Sequence, residues 1–348
     1  MIVVNIVHLR LGRATEDYYK MTQRIIIVII IVFLVMMGWI LLKPVNIKSL
    51  VSNPNPAPDY TEAVKRIAAL QTQDTEAINP VCGTVFLTHG QKVKRAIVFL
   101  HGFTNCPQQF RQLGEIFYER GYNVLIPRMP HHGLIDRMTT EQAQLTAEEL
   151  VAFADETVDV VQGLGDEVTI AGASMGGVVT GWITQNRNDV DNVVLMSPVF
   201  GLKVLSTWLT RPATNLFLAL PNFYQWWNPE KKADLVEPKH AYPRFASRAL
   251  AQVLRLSLAV QASARQSKPL PQSILVITNS NDTSVNADLI TDVVNSWRRN
   301  GVDNLRTYEF KADLELEHDF IDPGQKNQPI DVVYPILVDL ITTAGAKE

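Results

Sequence analysis

The chain has 348 residues, a formal net charge of −3 and 47% hydrophobic residues, enough for one sizeable α/β domain with a large core. The near-balanced charge gives no basis for nucleic-acid binding. Two cysteines and scattered histidines lack the spacing of a metal site.

The first element is an unbroken apolar run of 18 residues, Ile25 to Leu42. At 1.5 Å per residue it spans about 27 Å, close to the hydrocarbon thickness of a bilayer. A core helix would carry a polar face, and this run has none. Lys43-Pro44-Val45-Asn46-Ile47 offers no small-residue cleavage site, so the run reads as an uncleaved signal anchor over 25–42 rather than a signal peptide. Arg10, Arg13, Lys20 and Arg24 precede it, against Lys43 and Lys48 after it. That bias puts the tail 1–24 in the cytoplasm and the rest of the chain in a periplasm or outside the cell. Met21 is an alternative start, which would make Met21-Thr22-Gln23-Arg24 a short basic leader.

Residues 43–58, with Asn53-Pro54-Asn55-Pro56-Ala57-Pro58, read as an extended linker. An amphipathic helix is expected over about 59–73, with Ala63, Ile67 and Leu70 on one face and Asp59 or Thr61 as its cap. From there strands alternate with helices. Strands are expected near 84–88, 96–100, 123–127, 168–172, 193–197, 274–278 and 305–310, and helices near 107–120, 145–163, 176–187, 286–300 and 330–343. The alternation predicts a mostly parallel sheet covered on both faces.

Chemistry enters at Gly172-Ala173-Ser174-Met175-Gly176, a G-x-S-x-G between the strand Val168-Thr169-Ile170-Ala171 and the start of a helix. A serine on such a sharp turn holds its hydroxyl clear of the sheet, beside the N–H groups of a helix N-terminus. Its hydroxyl needs a base, and in this chain order an acid and then a histidine should follow. Two histidines lie downstream, His240 and His318. His318 is preferred because a strand precedes it, whereas His240 sits in a Pro-bracketed polar segment. Asp282, after the strand Ile274–Ile277, is the expected acid, and Asp313, Asp319 and Asp322 are its rivals. Two N–H donors should face the oxyanion, from Met175 after the nucleophile and from Phe103 in the loop His101-Gly102-Phe103-Thr104. His101 is expected to shape that loop.

Leu100-His101-Gly102-Phe103-Thr104 resembles the oxyanion loop of the carboxylesterases and monoacylglycerol-lipase-like enzymes among the α/β-hydrolases. Pro130-His131-His132-Gly133 resembles their Gly-His-Gly turn, with His131 where the pattern has glycine. Asp282 with Val285, and His318 with Asp322, match the family's local patterns. The resemblance covers about residues 80–345. It implies an α/β-hydrolase fold over 80–348 and hydrolysis of a lipophilic acyl ester by Ser174, His318 and Asp282 through an acyl-enzyme. No cofactor and no metal are implied. A serine peptidase or amidase on the same fold, and a silent membrane-tethered binding module, are the alternatives.

The interval from about 199 to 272 is too long for a simple connection and is expected to form a helical cap over the site. Trp208, Phe217, Phe223, Tyr224, Trp226 and Trp227 either line an acyl site or form the cap's own core. Ten Lys and Arg against three Asp and Glu make the cap basic, suited either to an anionic membrane surface or to plain solvent. Cys82 and Cys106 either pair, pinning the oxyanion loop, or are separate buried thiols.

Overall fold

The computed structural model describes residues 2–234, 238–326 and 328–344. Met1, Glu237 of the expected cap and residues 345–348 of the expected hydrolase segment lie outside these. The chain divides into two units, Met1–Pro44 and Val45–Glu348.

The first unit is a single helix, α1 (Ile2–Leu42). Its stretch Tyr18–Leu42, 25 residues, is long and apolar enough to cross a membrane, and none of it is buried.

In the second unit, α2 (Tyr60–Gln71) starts at Asp59, whose side chain accepts the Glu62 N–H. Ala63 and Ile67 face the core. The central sheet is built from β1 (Val85–Leu87), β2 (Val93–Leu100), β3 (Tyr122–Ile126), β4 (Gly165–Ala173) and β5 (Asn192–Met196). Two further strands follow a separate two-stranded antiparallel pair, β6 (Tyr224–Trp226) with β7 (Arg244–Ala246), and these are β8 (Ser273–Asn279) and β9 (Leu305–Phe310). The order is β1-β3-β2-β4-β5-β8-β9, with only the β1–β3 pair antiparallel.

Alternation along each strand feeds two cores. On β2, Ala96, Val98 and Leu100 join one core while Ile97 and Phe99 join the other. The first core is closed by α2, α4 (Ala147–Val161), α5 (Met175–Asn186), α7 (Ser247–Gln266) and α8 (Ala287–Arg299). The second is closed by α3 (Arg111–Glu119) and α9 (Ile330–Ala344). α4 opens on a full capping box between Thr146 and Glu149, and α8 on Asn286.

The segment read as a linker is extended, and it is fastened down. Ser52 Oγ and the Asn53 N–H donate to the Asp155 carboxylate, each at 2.6 Å, and the Asn55 N–H donates to Asp159 at 2.8 Å. Arg187 reaches the same two carboxylates from the end of α5.

The interval read as a cap has two parts. α6 (Thr210–Ala219) packs on α7, and the β6–β7 pair lies against α7 and the short turn Glu141–Gln144, whereas α7 itself packs on α5 and α8 as an ordinary covering helix. None of the six cap aromatics is buried, so they do not form an enclosed core of their own. The basic residues are likewise divided. Arg255 is buried against Glu148 and Arg244 stacks on Tyr224, while Lys203, Arg211 and Arg248 face solvent.

Candidate active site

Ser174 follows β4, the middle strand, and immediately precedes α5. Its φ of 53° is a strained left-handed conformation, as a sharp strand-to-helix reversal requires. The flanking glycines are sterically obligatory. A Cβ on Gly172 would lie 2.2 Å from the Gly176 carbonyl oxygen, and one on Gly176 would lie 2.0 Å from the Leu100 carbonyl oxygen. Close approach of β2, β4 and α5 thus dictates the G-x-S-x-G spacing.

His318 and Asp282 arrive from the ends of β9 and β8. His318 Nε2 lies 2.9 Å from Ser174 Oγ, and its Nδ1 lies 2.7 Å from Asp282 Oδ2. Asp282 Oδ1 accepts the N–H groups of Ser284 and Val285, which fixes the carboxylate plane. Burial pulls the His318 imidazole toward its neutral form, but the hydrogen bond and charge of Asp282, with Asp319 adding, hold its pKa above 6.5. Burial pushes Asp282 up, yet the His318 bond and the two N–H donors outweigh it and keep the carboxyl below its usual value.

The loop after β2 runs beside the serine. A Cβ on Gly102 would sit 3.6 Å from Ser174 Cβ. Met175 is the first residue of α5, where helix geometry leaves N–H groups without intrahelical partners. Among the described residues, no acceptor takes the Phe103 N–H. The buried His101 ring accepts the Met129 N–H at Nε2, so Nδ1 carries the proton and donates to the Gly102 carbonyl. Burial and the neighbouring His132 hold His101 well below the usual imidazole pKa. It shapes the loop, as its position after β2 suggests. Cys82 and Cys106 are joined by a disulfide, which ties the end of this loop to the segment before β1.

His131 takes a φ of 63° at the position where the related turn has glycine. Its ring Nε2 lies 3.2 Å from Glu149, so the side chain anchors a turn that glycine would form without strain.

The rivals are accounted for. His240 lies 2.8 Å from Asp322 through Nε2. Asp319 faces Gln109 and Asn105 at 2.7 and 2.9 Å. Asp313 sits exposed in the short turn Ala312–Leu314. Sequence reasoning missed Asn105 and Gln109, whose signal is only their place after the oxyanion loop. Cap residues close over the same loop. Trp227 Nε1–H donates to Thr104 Oγ1 at 2.9 Å, and Phe245 lies 4.5 Å from Trp227 and 6.0 Å from Phe103 by ring centroids. Among the described residues, no group of three or more His, Cys, Asp or Glu is arranged to hold a metal ion.

This geometry places a base within reach of a serine hydroxyl beside the start of a helix. A family model described as Hydrolase_4, serine aminopeptidase S33, matches residues 91–309. The thermostable monoacylglycerol lipase of Bacillus sp. (strain H-257) is 22% identical over 227 residues, 65% of this chain and 86% of that protein. The monoacylglycerol lipase of Paleococcus ferrophilus superposes with a TM-score of 0.56 at 16% identity, over 75% of this chain and 98% of that one. A soluble variant of the Saccharomyces cerevisiae monoglyceride lipase, in complex with a substrate analog, gives 0.55 at 14% identity, over 76% and 92%. The superpositions establish the fold, and the family model spans more than half of the sequence. The chain belongs to the serine aminopeptidase S33 family of α/β-hydrolases.

Proposed function

We propose that this protein is a membrane-anchored serine hydrolase that cleaves carboxylic esters of lipophilic acyl groups, monoacylglycerols or compounds like them. The observation that carries the reading is one imidazole, His318, within hydrogen-bond distance of Ser174 by one nitrogen and of Asp282 by the other. Ser174 Oγ attacks the acyl carbonyl while its proton passes to His318 Nε2. Asp282 holds the ring tautomer and stabilises the imidazolium. The N–H groups of Phe103 and Met175 bind the oxyanion of the tetrahedral intermediate. As the carbonyl re-forms, the ester C–O bond breaks and the alcohol leaves with the proton from His318. Water then gives up a proton to His318, attacks the acyl-enzyme and releases the acid, regenerating Ser174.

A lipophilic ester is favoured by the aromatic wall of Phe103, Phe245 and Trp227 beside the loop and by the apolar helix that would hold the enzyme at a lipid surface. The monoacylglycerol lipases it resembles point the same way. The excess of basic residues before the span favours a cytoplasmic N-terminus, and the Cys82–Cys106 disulfide favours an oxidising compartment for the catalytic domain. The family's description as serine aminopeptidases supports a second reading, in which the same triad cleaves an N-terminal amide bond.

The test is turnover of p-nitrophenyl esters of graded chain length beside aminoacyl p-nitroanilides, with a fluorophosphonate label on wild type and Ser174→Ala. Ester turnover that rises with chain length, with labelling lost in Ser174→Ala, is expected. Anilide turnover exceeding every ester transfers the assignment to the peptidase reading. A wild-type protein that never labels is no serine hydrolase.

A further inference from the structure

Gly102 stands between the two peptide units that set the oxyanion loop, and each of its own polar groups is taken. Its carbonyl accepts from His101 Nδ1 at 3.0 Å, and its N–H donates to Gln109 Oε1 at 2.7 Å. A trans peptide is planar with C=O and N–H opposed, so fixing the Gly102 carbonyl fixes the direction of the Phe103 N–H. Fixing the Gly102 N–H fixes the preceding plane. The Gln109 amide has its own constraint. A carboxylate only accepts, so Asp319 Oδ1 at 2.7 Å must face Gln109 Nε2, which leaves Oε1 for Gly102. Asp319 Oδ2 is held in turn by Asn105 Nδ2 at 2.9 Å, and that same nitrogen lies 3.0 Å from Asp322 Oδ2.

We propose that Gln109, oriented by Asp319, is a positioning residue that fixes the His101–Gly102 peptide plane, so that with His101 on the Gly102 carbonyl the Phe103 N–H is aimed at the reacting carbonyl, and that it thereby couples the loop carrying His318 to the oxyanion loop. The inference rests on the serine-hydrolase reading. It requires no substrate identity, because any acyl or phosphonyl group attacked by Ser174 places an oxygen in the same hole.

The charged surroundings of this relay give it a signature. Asp319 faces Gln109 and Asn105 from the segment after the oxyanion loop, His318, Asp322 and Gln325 from its own loop, and Tyr334 from α9. His240 reaches the cluster through Asp322. Burial first, and then the charge of Asp322, push the Asp319 carboxyl up to about 6. A second carboxylate in contact with it would therefore be accommodated by holding a shared proton.

The experiment uses the full chain in detergent and compares wild type with Gln109→Leu and Gln109→Glu. Two rates are read, phosphonylation of Ser174 by a fluorophosphonate and turnover of p-nitrophenyl butyrate. Gln109→Leu strands both the Gly102 N–H and Asp319 Oδ1, and a misaimed donor lowers both rates roughly 10- to 100-fold, in kcat with KM unchanged. Gln109→Glu still accepts the Gly102 N–H but meets Asp319 with a second carboxyl. Its rate relative to wild type therefore falls as pH rises from about 6 to about 9 and the shared proton is lost. If Gln109→Leu does not fold, the pH dependence of the Gln109→Glu ratio decides alone. Ser174 labelling at wild-type rate in both variants, or a level ratio for Gln109→Glu, overturns the relay and leaves the hydrolase reading standing. Absence of labelling in the wild type overturns both.

Discussion

In the proposed mechanism His318 must be uncharged to accept a proton from Ser174, and opposing forces decide when it is. Burial favours the neutral ring, while Asp282 at 2.7 Å and the nearby Asp319 favour the imidazolium, and the net shift is upward from 6.5. A base with a raised pKa is lost on the acid side sooner. kcat/KM for the free enzyme should thus fall with decreasing pH through a midpoint above the ordinary imidazole value. Asp282→Asn removes the charge that raises the ring and permits the wrong tautomer. It should lower that midpoint and cut kcat by about 10⁴-fold. A pH–rate profile checks both, and a wild-type midpoint at or below 6.5 contradicts the balance of forces. The three side chains were legible in the sequence because each follows a strand, and strand ends in a parallel sheet converge on one edge. The supporting residues were not. Asp319 is chemically indistinguishable from Asp282 in a sequence, and only the fold decides which carboxyl meets His318 Nδ1 and which meets Gln109. His240 shows the same limit, since its partner Asp322 lies 82 residues away.

At the scale of elements, one buried cation organises three segments. Arg187 follows α5 with its side chain sealed from solvent, 3.0 Å from Asp155 and 2.6 Å from both Asp159 and Asp189. Burial alone would weaken its charge, but the three carboxylates outweigh that and raise its pKa. Asp155 Oδ1 also accepts the Ser52 Oγ–H, and the Oδ2 oxygens of Asp155 and Asp159 accept the Asn53 and Asn55 N–H groups, so the same carboxylates hold the strap from Ser52 to Asn55. Arg187→Met leaves these carboxylates buried without their cation, which costs about 3–5 kcal/mol. In a domain of this size that lowers the melting temperature by roughly 10 °C. Arg187→Lys should rescue little, because a single ammonium cannot match a planar fork bonded to three carboxylates. Thermal unfolding reads the stability, and limited proteolysis reads release of the strap. A variant as stable as wild type would show the cluster to be incidental. The strap read as a free linker because its prolines are local, whereas its partners lie about a hundred residues away in α4. The strands read well wherever they are buried on both faces. β2 and β4 begin three residues before their expected starts, because Val93-Lys94-Arg95 and Gly165-Asp166-Glu167 pair at the polar end of the sheet and carry no apolar run. The pair of β6 and β7 was not legible, since three-residue strands hold too few positions for a period to show.

For the whole molecule, the proposed anchor raises the question of which side of a membrane the hydrolase would face, and the disulfide converts that topology into a chemical observable. The helix supplies an address through length and apolarity, Tyr18–Leu42 being long enough to span, but either orientation satisfies those two properties. The cysteines respond to the compartment. Cys82 and Cys106 are paired, and among the described residues no cysteine is free. Thiols that meet a reducing cytosol stay reduced, whereas a pair held this close in a periplasm or outside the cell is oxidised. Cells lysed directly into iodoacetamide under denaturing conditions should therefore yield a protein that is not alkylated until a reductant is added. The same protein should remain in the membrane pellet after an alkaline wash, while a chain starting at Val45, which keeps the whole second unit, should be soluble and turn over short-chain esters at an unchanged kcat. Alkylation of both thiols without reductant would place the hydrolase in the cytosol and reverse the orientation argued from Arg10, Arg13, Lys20 and Arg24. In that case the Cys82–Cys106 link would no longer restrain the oxyanion loop, and the loop would rely on its hydrogen bonds, those with Gln109, His101, Trp227 and Asp319 among them.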